Sequence, residues 1–351
     1  MSTQPLVSII IPTFNRSQLV GGAIESALHQ TWEKLEVLIV DDGSTDDTAA
    51  LVRSVAQRDG RVRFFAQNHQ GVSVARNRGL AEARGELVAF LNSDDVWLPW
   101  KLAMQVGLMN ARPEVVLCWT DLEAVWPDGT PRSPRFLRQL FPAYQHLPDR
   151  QPFEASYRLG DIVGGLPVSL VDVRVRWGPL FSMLLAGNLI PTSTAVLRHE
   201  VAKAAGWFEP SLRHGGADFR YFVHVARQGP AALIDVPSIR YRTGMADRLR
   251  HKTNRVHRMR AQLRTLQSTI RQHRTEIDRS AGELRVMLLD ARCSLSSAER
   301  QCGSRLSAIW QALAAIARSP SHRRAWSVLL DALHPRSRRA TDDASESDHA
   351  E

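Results

Sequence analysis

Apolar residues come in short unbroken runs in the first third of the chain: VSIII (7–11), LEVLIV (35–40), VRFFA (62–66), LVAFL (87–91) and VVLCW (115–119). Each has the length and β-branched content of a strand buried on both faces. Helical spacing separates them. Leu19, Val20, Ala23, Ile24, Ala27 and Leu28 share one face after a candidate Ser17 cap, and Leu51, Val52 and Val55 follow Ser44 and Thr45. Such βαβα alternation predicts a mainly parallel sheet covered by helices.

From 247 onward the period changes. Val256, Met259, Leu263, Leu266, Ile270, Ile277 and Leu284 recur at threes, fours and sevens, predicting one heptad-like helix with Arg on its other faces. A second helical pair is expected over 306–317 and 323–333, with Trp310 and Trp326 beside Arg318, Arg323 and Arg324. Three uses are open for these helices: packing on the front domain, self-association, or lying on an anionic membrane surface. Between 126 and 180, Pro127, Pro131, Pro134, Pro142, Pro148 and Pro152 preclude long regular elements, as in an insertion that shapes a cleft. The final residues, ATDDASESDHAE, read as a disordered end.

Charge sharpens this division. Residues 1–244 hold 25 Lys+Arg against 24 Asp+Glu, whereas 245–351 hold 20 against 12, so nearly all of the +9 lies in the helical part. Few aromatics interleave with that basic charge, which argues against nucleic acid as a partner. A 44% hydrophobic content suits a soluble globular chain with a real core. Three cysteines without metal-ligand spacing, and no secretory signal ahead of Val7, lead to the expectation of a reducing cytoplasm. No apolar window is long enough for a membrane span, which leaves peripheral attachment at the inner face of the cell membrane open.

Parallel sheets bind ligands at the carboxyl ends of their strands. Those ends read PTFN after the first strand, DDGSTDD after the second and NSDD after the fourth. No GxGxxG or GxxxxGK[ST] loop follows the first strand, so neither a dinucleotide fingerprint nor a P-loop is present. Adjacent carboxylates such as Asp94 and Asp95 make chemical sense when a divalent cation lies between them and a diphosphate. Solvated strand-end or helix-capping acids are the plainer alternative.

Taken in order, VSIIIPTFNRSQLVGGAIESALHQTWEKLEVLIVDDGSTDDT and NHQGVSVARNRGLAEARGELVAFLNSDDVWLPWKL resemble the inverting family 2 glycosyltransferases of GT-A fold, strongly over 5–125 and more loosely over 183–242. The resemblance implies an α/β, GT-A type fold: a mainly parallel, Rossmann-like nucleotide-binding sheet flanked by helices, here with an α-helical C-terminal extension. The expected division is 1–125 for the nucleotide-sugar-binding half, 126–244 for the insertion and acceptor-binding, catalytic half, 245–335 for the basic helical extension and 336–351 for the tail. It further implies that Pro12 and Thr13 line base and ribose, that Asp42 accepts from the base's imide NH, and that Arg76 lies near the nucleotide. Asp94 would contact the ribose and Asp95 a Mn²⁺ or Mg²⁺ ion on the diphosphate. An acceptor facing a uracil-like or thymine-like donor edge suggests UDP- or dTDP-sugars.

By the same resemblance, FEPSLRHGGADFRYFVHVARQGPAALIDVPSIRYR supplies the general base as Asp218, with Ala217 where the family has Glu. A helix N-cap is the alternative for Asp218. YRTG (241–244) lacks the His that often follows in relatives, and His214 and His251 are the residues available to stand in. Asn188 and Trp207 fall in the acceptor-side segment, Trp207 as a sugar platform or, by its apolar neighbours, a core residue. The implied acceptor is a saccharide, a lipid-linked saccharide or a small molecule. The missing Glu and His keep open a second reading, a catalytically degraded nucleotide- or glycan-binding protein of the same fold.

Overall fold

The computed structural model describes residues 4–141, 143, 144, 153, 155–212, 214–245 and 254–334. Its chain divides into two compact units, one of Met1–His251 with Gln272–Asp278 and one of Lys252–Arg271 with Arg279–Glu351. The tail expected at 336–351 and His251 lie outside the described residues.

The first unit opens with β1 (Val7–Thr13), α1 (Val20–Leu28), β2 (Leu35–Asp41), α2 (Thr48–Arg58), β3 (Val62–Ala66), α3 (Val72–Glu82) and β4 (Leu87–Phe90). β5 (Val96–Trp97), α4 (Lys101–Ala111) and β6 (Leu117–Val125) follow. The proline-rich stretch holds only short elements: β7 (Pro131–Ser133), α5 (Leu137–Leu140), β8 (Ala155–Arg158), α6 (Val168–Val171) and β9 (Arg174–Gly178). α7 (Phe181–Leu184), β10 (Val196–Arg198), α8 (His199–Ala204), α9 (Ala217–Val225) and β11 (Ala231–Arg242) complete the unit.

All strands join one sheet in the order β3-β2-β1-β4-β10-β6-β11-β9-β8, with β5 on β11 and β7 on β6. β3, β2, β1 and β4 are parallel, as the continuous apolar runs anticipate; β1 and β2 are buried along their whole length. Beyond β4 the sheet is mixed. β10 runs antiparallel between β4 and β6, while β6 and β11 are parallel. The antiparallel insertion matters for function, because it brings the turn that precedes β10 to the carboxyl end of β4.

Helix starts depart from the expected caps. α1 begins at Val20 with no side-chain cap; the Ser17 backbone NH instead donates to Asp46, whose carboxyl is held at about 2. Burial opposes that shift, and the bonds from Thr48 and Ser17 outweigh it. α3 lies close on β1 because Gly79 has no side chain: a Cβ there would meet Ile10 Cγ2 at 2.4 Å.

In the second unit the single heptad helix is replaced by two, α10 (Arg255–Gln272) and α11 (Ala281–Gln301), followed by α12 (Arg305–Ile316) and α13 (Arg323–Leu333). Ile277 lies in the intervening segment, and Ser280 with Glu283 restarts the chain as a capping box. A reset cap outcompetes a weak periodicity that has no partner seam to follow. Val256, Leu263, Leu295 and Ala298 join α10 to α11; Leu289, Cys293, Ala315 and Ala325 join α11 to α12 and α13.

One buried acid ties the edge of the parallel sheet together. Glu36 Oε1 accepts from Ser8 Oγ (2.6 Å) and Arg84 N (2.8 Å), and Oε2 from Arg63 Nη1 (2.9 Å). Burial alone would raise its pKa, but these donors hold it below its ordinary 4.5. A depressed carboxylate stabilises the fold fully above pH 4.5 and loses that contribution as pH falls through the folded value. Glu36→Gln should therefore destabilise the protein by about 2 kcal/mol at pH 7, read by urea unfolding, with the difference from wild type shrinking below about pH 4.

Candidate functional site

The carboxyl ends of β1, β2 and β4 and the start of β10 share one edge of the sheet, and the polar residues singled out in the sequence converge there. Pro12 and Thr13 are buried at the end of β1, and Thr13 Oγ1 has no hydrogen-bond partner among the described residues. Phe14 follows, half-exposed, with its ring stacked on His69 at 4.1 Å. Asn15 adopts a left-handed conformation (φ 49°), which turns its side chain to accept from Thr45 N at 2.8 Å and fastens this loop to the one after β2.

Asp42 is buried, and its carboxylate organises the loop that leads into α3. Oδ1 accepts from Gln67 Nε2 (2.8 Å) and Gln70 N (2.9 Å); Oδ2 accepts from Gly71 N (2.7 Å) and lies 3.0 Å from His69 Nδ1. These four contacts occupy the acceptor capacity of a carboxylate. Gly71 (φ 94°) turns the chain into α3 in a backbone region that disfavours side chains, and in the first turn Ser73 Oγ is buried without a partner among the described residues.

One turn further along α3, Arg76 is buried against the ring of Phe208 (5.3 Å). Its Nη2 donates to Asn92 Oδ1 (2.9 Å), and its Nε has no partner among the described residues. Burial lowers its pKa, and the charges of Asp218, Asp94 and Asp95, in that order, oppose the shift. The two adjacent acids at the mouth of the core thus share a guanidinium with a third acid from a distant helix.

Asp95, fully buried, is held through Oδ2 by Asn92 Nδ2 (3.1 Å) and Ser193 Oγ (2.7 Å). Ser193 reaches it because β10 runs antiparallel to β4; the same hydroxyl accepts from Asn92 N (3.1 Å), and Trp97 Nε1 donates to Ser193 O (2.8 Å). Asp94 is half-buried, and its carbonyl accepts from Arg242 Nε (3.4 Å) at the end of β11. Beneath them, Lys101 is fully buried with Nζ 4.1 Å from the Trp97 ring centroid and 2.6 Å from Gln105 Oε1. Burial pushes its pKa down to about 7.

Asp218 lies in the first turn of α9 and is half-buried; the N-cap is Gly216 (φ 97°), so the capping role considered for Asp218 does not apply. Asn188 Nδ2 donates to its Oδ2 (3.3 Å), and Asn188 Oδ1 in turn accepts from Ile190 N (3.1 Å). Trp207 departs from the core environment its neighbours suggested: it is 59% exposed, while Phe208 takes the buried place and stacks on Tyr221 at 4.0 Å. Asn77 pins that segment with reciprocal 2.8 Å bonds to Phe208 N and O. His214 is exposed just before α9.

Asn92, Ser193, Ser73 and His69 were not anticipated as site residues. Asn92 stood inside the NSDD motif, but nothing in the sequence indicates that it bridges Arg76 and Asp95. Ser193 depends on the β4/β10 pairing, which has no local signature.

A divalent cation of the Mg²⁺ or Mn²⁺ type takes oxygen donors and uses one or two carboxylates, with substrate phosphates completing its shell. Among the described residues no group of three or more His, Cys, Asp or Glu forms a self-sufficient metal cage. A buried Asp95 oriented through one oxygen, with Asp94 beside it, fits the mode in which the substrate supplies the remaining ligands.

The parallel half-sheet, the acidic strand ends and the helical region define a GT-A type fold. The crystal structure of TarS from S. aureus in complex with UDP-GlcNAc is similar over 93% of this chain and 88% of that one, with a TM-score of 0.60 at 16% identity. A mannosyltransferase from Pyrobaculum calidifontis in complex with GDP-Man and Mn²⁺ is similar over 94% and 80%, at a TM-score of 0.52 and 20% identity. In sequence, residues 8–165 match the family model described as Glycosyl transferase family 2. The Escherichia coli beta-1,3-glucosyltransferase WfaP, named for transfer from UDP-Glc to alpha-D-GlcNAc-diphosphoundecaprenol, is 40% identical over 106 residues, 30% of this chain and 41% of that protein. The chain spans less than half the length of the first four curated relatives it matches, from 15% to 42%.

Arg76 should prove structurally important. Replacing it by Met leaves Asp94, Asp95 and Asp218 without their shared cation and should cost about 3 kcal/mol. Adding Asp94→Asn to Arg76→Met should recover part of that loss, giving a coupling of about 1 kcal/mol in a double-mutant cycle read by chemical unfolding.

Proposed function

We propose that this chain is a metal-dependent, inverting glycosyltransferase that moves a sugar from a nucleotide-diphosphate donor to a hydroxyl of a saccharide acceptor, with a lipid-linked saccharide as the favoured class. The observation that carries the reading is the set of buried polar atoms without hydrogen-bond partners among the described residues, Thr13 Oγ1 on β1 and Ser73 Oγ and Arg76 Nε on α3, with β1 lying between the two strands, β2 and β4, whose ends are acidic. Buried polar atoms are normally bonded, and atoms left open along a candidate cleft call for a polar ligand.

In this reading the nucleotide lies over Pro12 and Thr13, with Asp94 at the ribose. Asp42 keeps the 67–71 loop in shape, and base recognition by its carboxylate requires one of its four loop contacts to yield. Asp95, with Asp94, would hold the divalent cation, which supplies charge neutralisation on the diphosphate when bound. The Mn²⁺ with the Pyrobaculum protein, and the UDP-sugars named for TarS and WfaP, support this donor class.

Asp218 takes the proton from the acceptor hydroxyl as that oxygen attacks the anomeric carbon, opposite the bond to the leaving diphosphate. The new C–O bond forms as the old one breaks, and the nucleoside diphosphate carries the bonding pair away. Asn188 orients the Asp218 carboxylate, and the Arg76 charge acts on it together with the other two acids. Exposed on a pinned segment, Trp207 offers a flat apolar face to an acceptor sugar ring. The lipid-linked class rests on the name of the WfaP acceptor.

The test is nucleotide release from UDP-, dTDP- and GDP-sugars with Mn²⁺. One donor should turn over, Asp218→Asn should lower the rate by about 10²–10⁴-fold with donor binding retained, and Asp95→Asn should weaken donor binding in Mn²⁺ while leaving the fold intact. Full activity in Asp218→Asn would sink the base assignment. Nucleotide binding without turnover, on any donor with a lipid-linked acceptor present, would favour the degraded-site alternative.

A further inference from the structure

Among the described residues of the helical unit, α12 and α13 leave apolar side chains in solvent at helical spacing. Leu306, Trp310 and Leu313 form one stripe on α12, with Leu306 84% and Trp310 68% exposed; Trp326, Leu330 and Leu333 form the other on α13. The core of the unit does not need them, since α12 is buried at three alanines, Ala308, Ala312 and Ala315, and α13 at two alanines and one leucine, Ala325, Leu329 and Ala332. Exposed large apolar groups repeated along two helices mark an interaction surface.

The charge around them is one-sided. Over Arg305–Leu333 there are four arginines and one acid, Asp331, and no charged residue occurs between Arg305 and Arg318. Next to the α12 stripe, a groove of about 230 Å³ between α10, α11 and α12 is lined by Arg260, Arg264, Arg292, Gln267 and Gln311 over two leucines. Glu299 pairs with Arg260 at 2.6 Å. Arg292 instead donates to the neutral Gln311 (3.0 Å), and among the described residues neither it nor Arg264 has an acidic partner. Burial and the nearby charge of Arg318 both press Arg292 toward losing its proton, a sign of uncompensated positive potential. Gln311 lines the groove and Trp310 is the next residue, so the cationic groove and the apolar stripe occupy neighbouring faces of one helix.

We infer that this surface of α12 and α13, with the Arg264/Arg292 groove at its edge, docks on a bilayer containing anionic phospholipid, the arginines taking headgroup phosphates and the Leu/Trp stripes entering the acyl boundary. Trp and Leu beside Arg, without interspersed acids, is the side-chain combination that a charged membrane interface accommodates. A second protein copy would bring the same excess of arginines to both sides of the contact. No helix among the described residues is long and apolar enough to cross a membrane, so the contact is a surface one. The inference deepens the lipid-linked-acceptor reading above, because it would hold the chain where such an acceptor lies.

The test is co-sedimentation of the full chain, without sugar donor, with vesicles of pure phosphatidylcholine and of phosphatidylcholine carrying about one third phosphatidylglycerol, at about 0.15 M salt. Strong binding is expected only to the anionic vesicles. Arg264→Gln/Arg292→Gln should weaken it by about tenfold or more, and Leu306→Gln/Trp310→Gln should abolish it, circular dichroism showing both variants folded. Binding unchanged in both variants, or no vesicle binding at all, overturns the inference. So does saturable binding of inorganic phosphate without vesicle binding, which would make the groove a free-anion site, or concentration-dependent self-association lost in Leu306→Gln/Trp310→Gln, which would make the stripe a self-interface. Because no donor is present, failure here leaves the sugar-transfer reading standing, and an inactive transferase that still binds vesicles leaves this one standing.

Discussion

A single buried guanidinium sets the terms for the rest of the site. Arg76 lies beneath three carboxylates that come from two separate parts of the chain, and it answers the question posed by two adjacent acids at the end of a buried strand. Two like charges side by side at the end of a buried strand repel each other, and a guanidinium close to both opposes that repulsion. Among the described residues Arg76 donates to a neutral amide, Asn92, and its charge faces all three acids.

The scaffold around Arg76 follows from that need. Gly79 lets α3 press onto β1, keeping the guanidinium at the depth of the strand ends. Phe208, stacked on Tyr221 and edge-on to Phe90 at 5.2 Å, forms an aromatic wall that excludes water from one face of the cation. Asn77, on the same helix as Arg76, grips the backbone of Phe208, so the segment with Trp207 is registered against α3 by a reciprocal pair of hydrogen bonds.

Below the carboxylates the core is unusually polar. Gln105 donates to Cys118 O (3.0 Å) and Thr194 O (2.9 Å) while accepting from Lys101, and Thr194 adjoins the serine that holds Asp95. A satisfied buried network of this kind fixes one geometry of the turn before β10, which an apolar core would leave free to repack. In the helical unit the opposite economy holds: small alanines close the interior, and the large apolar residues are left outside.

The strand runs, the acidic strand ends and the switch to helical period near 250 were legible in the amino-acid order, because each depends on the local repeat of one element. So was the grouping of Asp42, Asp94 and Asp95 at one edge, which follows from parallel strands alone. The break of the long helix at Ser280 was masked by a periodicity that ran through it by chance. Trp207 and Phe208 are adjacent and both aromatic; only the position of Arg76 and Tyr221 determines which of them is buried. Asn92 and Ser193 became partners of Asp95 through the antiparallel entry of β10 beside β4, and the convergence of Asp218 on Arg76 spans more than 140 residues of sequence. Local pattern encodes which elements form and which face of each is apolar; the meeting of side chains from distant elements is decided by sheet order and packing, and no local window contains them.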